Sequence, residues 1–238
     1  EFIRKNIVQF AKISCVCHEN LVQCIHNIPI GVNKSGVEFL LPWFMWQNGG
    51  RYMDVYKYEK IRNVAILGHG GCGKTTLVEA MAYVTGVINR QGRVEDGNTI
   101  SDYDKEEAKR LFSISTTLVP VIWEDTKINV LDTPGYFDFV GEVEEALDAV
   151  DAAVIVVSGK SGVEVGTIKA WEACEKRKLP RMFFVTDMDD DNASFRKVVE
   201  ELTELYGKKI APFHSPIREN EKFVGFVNVI KMAGRRFT

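Results

Sequence analysis

The sequence predicts an α/β fold, a mainly parallel sheet with helices on both faces. Three observations carry this expectation. Apolar runs of strand length at 63–67, 117–123, 127–131, 152–157 and 181–186 alternate with segments near 74–85, 139–149, 165–177 and 192–206 whose apolar residues recur at helical spacing. Alternation of this kind favours parallel strands joined by helical crossovers. The run 152–157, Ala-Ala-Val-Ile-Val-Val, is apolar throughout, as a strand covered on both faces requires. A glycine-rich loop joins the first strand to the first long helix, a junction suited to anions because the helix N-terminus offers free N–H groups and partial positive charge.

That loop reads Gly68-His69-Gly70-Gly71-Cys72-Gly73-Lys74-Thr75 and meets the pattern G-x-x-x-x-G-K-[ST] at every fixed position. Asn63-Val64-Ala65-Ile66-Leu67 precedes it and Thr76-Leu77-Val78-Glu79-Ala80-Met81 follows, which is the strand–loop–helix setting the pattern needs. Glycines let backbone N–H groups turn inward around a phosphate. Lys74 is then expected at the terminal phosphates and Thr75 on Mg²⁺. The competing reading is a glycine turn that binds nothing; the complete match in the right setting argues against it. Further on, the strand-like Ile128-Asn129-Val130-Leu131 ends in Asp132-Thr133-Pro134-Gly135. At a strand's carboxyl end Asp132 can serve Mg²⁺ opposite Thr75, and Gly135 can present its N–H to a γ-phosphate. A Pro-Gly turn is common by itself. Beside a phosphate loop it reads as the second half of a nucleotide site.

Composition narrows the class. The chain has 238 residues, 45% of them hydrophobic and 26% charged, and its formal charge is −3. Bulk charge therefore does not hold it on nucleic acid, and no direct binding to DNA is expected. Five irregularly spaced cysteines do not make a disulfide framework, which points to a reducing, cytoplasmic setting. The longest apolar run, 39–46, is broken by Pro42 and falls far short of the ~20 residues that span a bilayer, so no membrane association is expected. A monomer is expected.

Residues 1–52 read differently. Their apolar clusters have no sustained period, and turn formers interrupt them at Asn27, Pro29, Gly31, Asn33 and Gly36. This stretch is expected to be a non-native or unstructured leader, with Met53 as the true start; Glu1-Phe2 matches the translation of a common cloning site. Cys15, Cys17, His18, Cys24 and His26 could supply zinc ligands, but their spacing is not that of common structural sites. The expected organisation is leader 1–52, core 53–209 and an incomplete insertion at 210–238.

The combination of 68–76, Asp132-Thr133-Pro134-Gly135-Tyr136-Phe137-Asp138-Phe139 and Ser161-Gly162-Val163-Glu164 resembles the translational GTPases, above all elongation factor G and its paralogues. Gly141-Glu142-Val143-Glu144 and Leu179-Pro180-Arg181-Met182 extend the likeness, which covers roughly residues 60–238. The resemblance implies a P-loop NTPase G domain, GTP and GDP as ligands, Mg²⁺ as cofactor and the ribosome as partner in translocation. It also implies that the chain stops within the family's G′ insertion, in which His214 occupies an ordinary strand or turn. Tetracycline ribosomal-protection proteins and release factor 3 are alternatives within the class. A nucleotide-binding regulatory module with little turnover is an alternative outside it.

Carried over residue by residue, the resemblance makes 87–116 the first switch segment. The family's Arg-Gly-Ile-Thr-Ile aligns with Arg110-Leu111-Phe112-Ser113-Ile114, so Ser113 stands for the second Mg²⁺-binding hydroxyl and Leu111 for a glycine. Tyr136 stands where elongation factor G has a water-positioning histidine. Catalysis would then rest on Tyr136, Lys74 and Gly135, with slow intrinsic hydrolysis, since a phenol cannot supply an imidazolium at neutral pH. Thr186-Asp187-Met188-Asp189 stands for the base-reading Asn-Lys-x-Asp. Asp189 is retained and can accept from guanine N1–H and the 2-amino group. Asp187 reverses the charge of a lysine, which weakens the expectation of guanine selectivity.

Overall fold

The computed structural model describes residues 55–219 and 222–237. The leader, its cysteine–histidine cluster and Met53 lie outside the described residues.

A five-stranded sheet in the order β2-β3-β1-β4-β5 forms the centre. Strands β1 (Ile61–Gly68), β3 (Thr126–Asp132), β4 (Ala152–Ser158) and β5 (Arg181–Thr186) run parallel. Strand β2 (Thr117–Trp123) is the antiparallel exception. Only Glu124 and Asp125 separate it from β3, too short a link for a parallel crossover. Pro120 is tolerated because β2 is an edge strand, and Val119 and Val121 turn inward while Leu118 and Ile122 face out.

The two faces of β1 divide the core. Val64 and Ile66 pack with Val130, Val154 and Val156 under Leu77, Val78 and Met81 of α1 (Lys74–Val84). Ala65 and Leu67 face the opposite side with Ala153 and Ile155. They are covered by Leu147 of α3 (Val140–Asp148) and by Ala170, Trp171 and Cys174 of α4 (Val165–Arg177). Helices on both faces follow from β-strand alternation on a buried sheet. Helix α5 (Phe195–Tyr206) packs Val198 and Leu202 against Val157. It starts three residues later than the apolar pattern suggests: the Asp190 carboxylate accepts from Asn192 N–H, and Ser194 caps the helix by accepting from Lys197 N–H.

Within 87–116 the one α-helix is α2 (Lys105–Arg110), closed at its start by a reciprocal capping box between Asp104 and Glu107. A second, antiparallel sheet follows α5: β6 (His214–Glu219), β7 (Lys222–Asn228) and β8 (Ala233–Arg236), in that order. His214 opens β6, an ordinary strand position. Among the described residues no helix is long and apolar enough to cross a membrane.

Candidate nucleotide-binding site

Parallel order places the carboxyl ends of β1, β3, β4 and β5 along one edge of the sheet, where such folds hold ligands. The phosphate loop leaves β1 there. Gly68, Gly71 and Gly73 adopt φ of 144°, 78° and 86°. At Gly68 a Cβ would also meet the Val156 carbonyl oxygen at 2.5 Å, so that position admits only glycine. The Lys74 ammonium donates to the His69 carbonyl at 2.8 Å and lies against Gly135, whose own Cβ would displace it. The Asp132–Gly135 turn therefore sits directly on the phosphate loop. Thr133 holds it there by donating to the Ile66 carbonyl at 2.6 Å, while Pro134 lines the far side of the turn with Gly135.

Oxygen atoms converge beside Lys74. Thr75 Oγ1 and Ser113 Oγ are 3.1 Å apart. Ser101 donates to Asp132 Oδ2 at 2.7 Å, and Asp132 Oδ1 is buried with no partner. Burial raises the Asp132 carboxyl to about 6, against the lowering effects of the Ser101 hydrogen bond and the Lys74 charge. Asp102 Oδ2 is a second buried, unpartnered oxygen, and burial raises that carboxyl as well. Among the described residues no cluster of three His, Cys, Asp or Glu side chains forms a metal site. Mg²⁺ does not need one, because it takes oxygen ligands and is usually held by one or two carboxylates plus substrate phosphates. Two facing hydroxyls and an orphaned carboxylate oxygen fit that requirement.

Two buried carboxylates hold the 87–116 segment over this cluster. Glu79 of α1 accepts from Gly92 N–H at 2.7 Å and Ile100 N–H at 2.8 Å. Glu107 accepts from Ile114 and Ser115 N–H at 2.9 and 3.0 Å. Leu111, in the place of the expected glycine, takes φ 60°, the left-handed conformation a glycine adopts freely.

Tyr136 is 45% exposed at the mouth of a cleft of about 260 Å³ lined by Gly70, Gly73, Lys74, Thr75, Ser113 and Gly135. Its ring lies on Gly70, where a Cβ would come within 3.0 Å, and packs on Phe112 with centroids 4.9 Å apart. His69 points away from the cleft, with Nε2 3.6 Å from Glu164 and its ring beside Phe137. Cys72 is buried, and burial raises its thiol.

At the end of β5, Thr186 Oγ1 donates to the Cys72 carbonyl at 2.8 Å and its side chain lies beside Gly73. The shorter hydroxyl still ties the end of β5 to the phosphate loop. Asp187, at φ 54°, accepts from Ser158 Oγ at 2.6 Å. Met188 packs its sulfur beside Gly159. Asp189 is exposed, and its carboxyl is raised, by desolvation first and then by the charges of Asp187 and Asp190. The sequence-derived set thus falls along one edge of the sheet.

Sequence reasoning gave Glu79, Ser101, Asp102, Phe112 and Ser158 no individual role in the site. Glu79 left a signal, an acid embedded in Leu77-Val78-Glu79-Ala80-Met81-Ala82. A buried charge must be satisfied, so that position called for a partner.

Residues 59–236 match the model of the elongation factor Tu GTP binding domain. Among curated relatives, ribosome-releasing factor 2, mitochondrial, of Anopheles gambiae is 40% identical over 172 residues, covering 72% of this chain and 23% of that protein. The protein of the same name from Drosophila melanogaster is 39% identical over 201 residues, with 79% and 27% covered. A crystal structure of a Thermus thermophilus protein superposes with a TM-score of 0.72 at 41% identity, over 75% of this chain and 27% of that one. The chain spans about a quarter of the length of these relatives. It belongs to the elongation factor Tu GTP-binding domain family, on the elongation-factor-G-like branch of translational GTPases.

Proposed function

We propose that this chain is a GTP-binding and GTP-hydrolysing module that acts on the ribosome as part of a longer protein, with 53–209 as its core and 210–238 as the start of an insertion. The convergence of Lys74, Thr75 and Ser113 on one cleft, with Asp132 buried behind them, carries this reading. Gly68 through Gly73 wrap the phosphates, Lys74 sets a positive charge against them, and the Gly135 N–H faces the terminal one. Thr75, Ser113 and Asp132 would hold Mg²⁺, which when bound would neutralise charge developing on the phosphates. Asp189 reads the guanine edge, Thr186 fixes the base loop to the phosphate loop, and Asp187 and Met188 shape its floor. Tyr136 aligns the attacking water through its hydroxyl, and turnover without the ribosome is slow.

The relatives' names add ribosome release to the translocation implied by resemblance. They also carry a mitochondrial setting beside the cytoplasmic one expected from the cysteines, and cell fractionation separates the two. Titration with GTP, GDP and ATP, followed by single-turnover hydrolysis with and without ribosomes, tests the whole reading; equal GTP and ATP affinity sinks the guanine assignment. For Tyr136→Phe we expect a hydrolysis rate lower by about tenfold, the equivalent of roughly one hydrogen bond. An unchanged rate removes the phenol from the mechanism.

A further inference from the structure

Arg218 belongs to the second sheet, yet its guanidinium reaches the base-side loop of the first. Its Nη2 donates to the Met188 carbonyl at 3.1 Å and to the Asp190 carbonyl at 3.2 Å. Those carbonyls flank Asp189 on either side. A carboxylate that accepts from two donors on a purine edge must keep one orientation, and the backbone on either side of it sets that orientation. The strand is shaped for the contact: the β6–β7 register slips between Ile217 and Arg218. Such irregularities bend a strand and re-aim its side chains, often beside functional sites. Arg218 Nε is buried without a hydrogen-bond partner, so Nη2 alone makes the contact to the loop.

Charge gives the contact a second purpose. The loop carries Asp187, Asp189, Asp190 and Asp191 and no basic residue. Lys160 pairs with Asp190 at 3.0 Å on the exposed side. Arg218 brings a second cation, from a different sheet, and the two hydrogens of its Nη2 serve the two carbonyls from one nitrogen.

We propose that Arg218 is a positioning residue for nucleobase recognition, holding the Met188 and Asp190 carbonyls so that Asp189 keeps the orientation that meets guanine. The second sheet is then part of the base site. This rests on the guanine-nucleotide reading above.

The test is calorimetric titration of the 238-residue chain, in Mg²⁺, with GDP, ADP and inorganic pyrophosphate, for wild type, Arg218→Met and Arg218→Lys. Arg218→Met is expected to weaken GDP about tenfold while ADP and pyrophosphate change by less than about twofold; tenfold corresponds to about 1.4 kcal/mol. Arg218→Lys keeps the charge on a shorter side chain and recovers part of the GDP affinity. Retained pyrophosphate binding shows that each variant is folded at the phosphate loop. A GDP-to-ADP preference unchanged in Arg218→Met overturns the role of Arg218 alone, as does an equal loss for all three ligands, the mark of a mere structural tether. Wild-type protein that binds pyrophosphate but does not distinguish GDP from ADP overturns the base reading, and the inference with it.

Discussion

Leu111 shows how one side chain records a compromise. Its φ of 60° is left-handed, a conformation that costs a residue with a Cβ about 1–2 kcal/mol. It closes α2 and leads directly into Phe112 and Ser113, so the turn cannot relax without moving the Ser113 hydroxyl away from Thr75. Nearly half of Leu111 is exposed, and little packing is lost by removing it. Leu111→Gly is therefore expected to raise unfolding stability by about 1 kcal/mol in urea titration. A loss of stability would mean that the leucine's contacts outweigh its backbone strain. Asp187 takes a similar φ of 54°, and its carboxylate accepts from Ser158 at the end of β4, 29 residues away.

At the scale of elements, the 87–116 segment depends on carboxylates more than on an apolar core of its own. Glu79 fastens it at two N–H groups, and Glu107 fastens its far end. Glu79→Ala leaves both N–H groups without an acceptor, and a loss of about 2–3 kcal/mol is expected from denaturant unfolding. Amide exchange should speed first at Gly92 and Ile100; uniform exchange across the domain would refute the anchoring role.

The second sheet offers a pH test. The Asn228 Oδ1 accepts from Lys231 N–H, which leaves its Nδ2 to donate to His214 Nε2 at 3.1 Å, so that nitrogen must be unprotonated. Burial, followed by the charge of Lys231, lowers the His214 pKa below its ordinary 6.5. In that case the unfolded chain binds more protons than the folded one between the two values, and stability rises with pH there. The contribution is complete above about 6.5 and is lost as pH falls through the folded value. Thermal unfolding should show this acid-side slope in wild type and a flatter one in His214→Gln.

For the whole molecule, ligand and fold are linked. The phosphate loop, the Asp132 turn and the 87–116 segment are separate pieces of chain that meet at the cleft, with the β5 end tied to the phosphate loop, and on the proposed reading a bound nucleotide would touch most of them. A ligand at a hundredfold its Kd stabilises by about 2.7 kcal/mol. In a domain of this size that raises Tm by about 5–10 °C. GDP with Mg²⁺ should produce such a shift in a melting assay, and EDTA should remove much of it. A shift of the same size with EDTA present would remove Mg²⁺ from the proposed site.

The amino-acid sequence by itself determined the α/β class, the strand–loop–helix at 61–84 and the Asp-Thr-Pro-Gly turn, because each is a local pattern. Apolar period, glycine conformation and turn chemistry act over a few neighbouring residues. The antiparallel setting of β2 was equally local, in a link too short for anything else. Tertiary structure alone decided what depends on approach across the chain. Glu79 became an anchor because Gly92 and Ile100 fold back over it. Thr186 became a tie to the phosphate loop because parallel pairing carries β5 to the same edge as β1. Arg218 reached Met188 and Asp190 because the second sheet docks beside β5. Side-chain contacts of that range have no period and no spacing in sequence, since the distance that matters to them is set by packing.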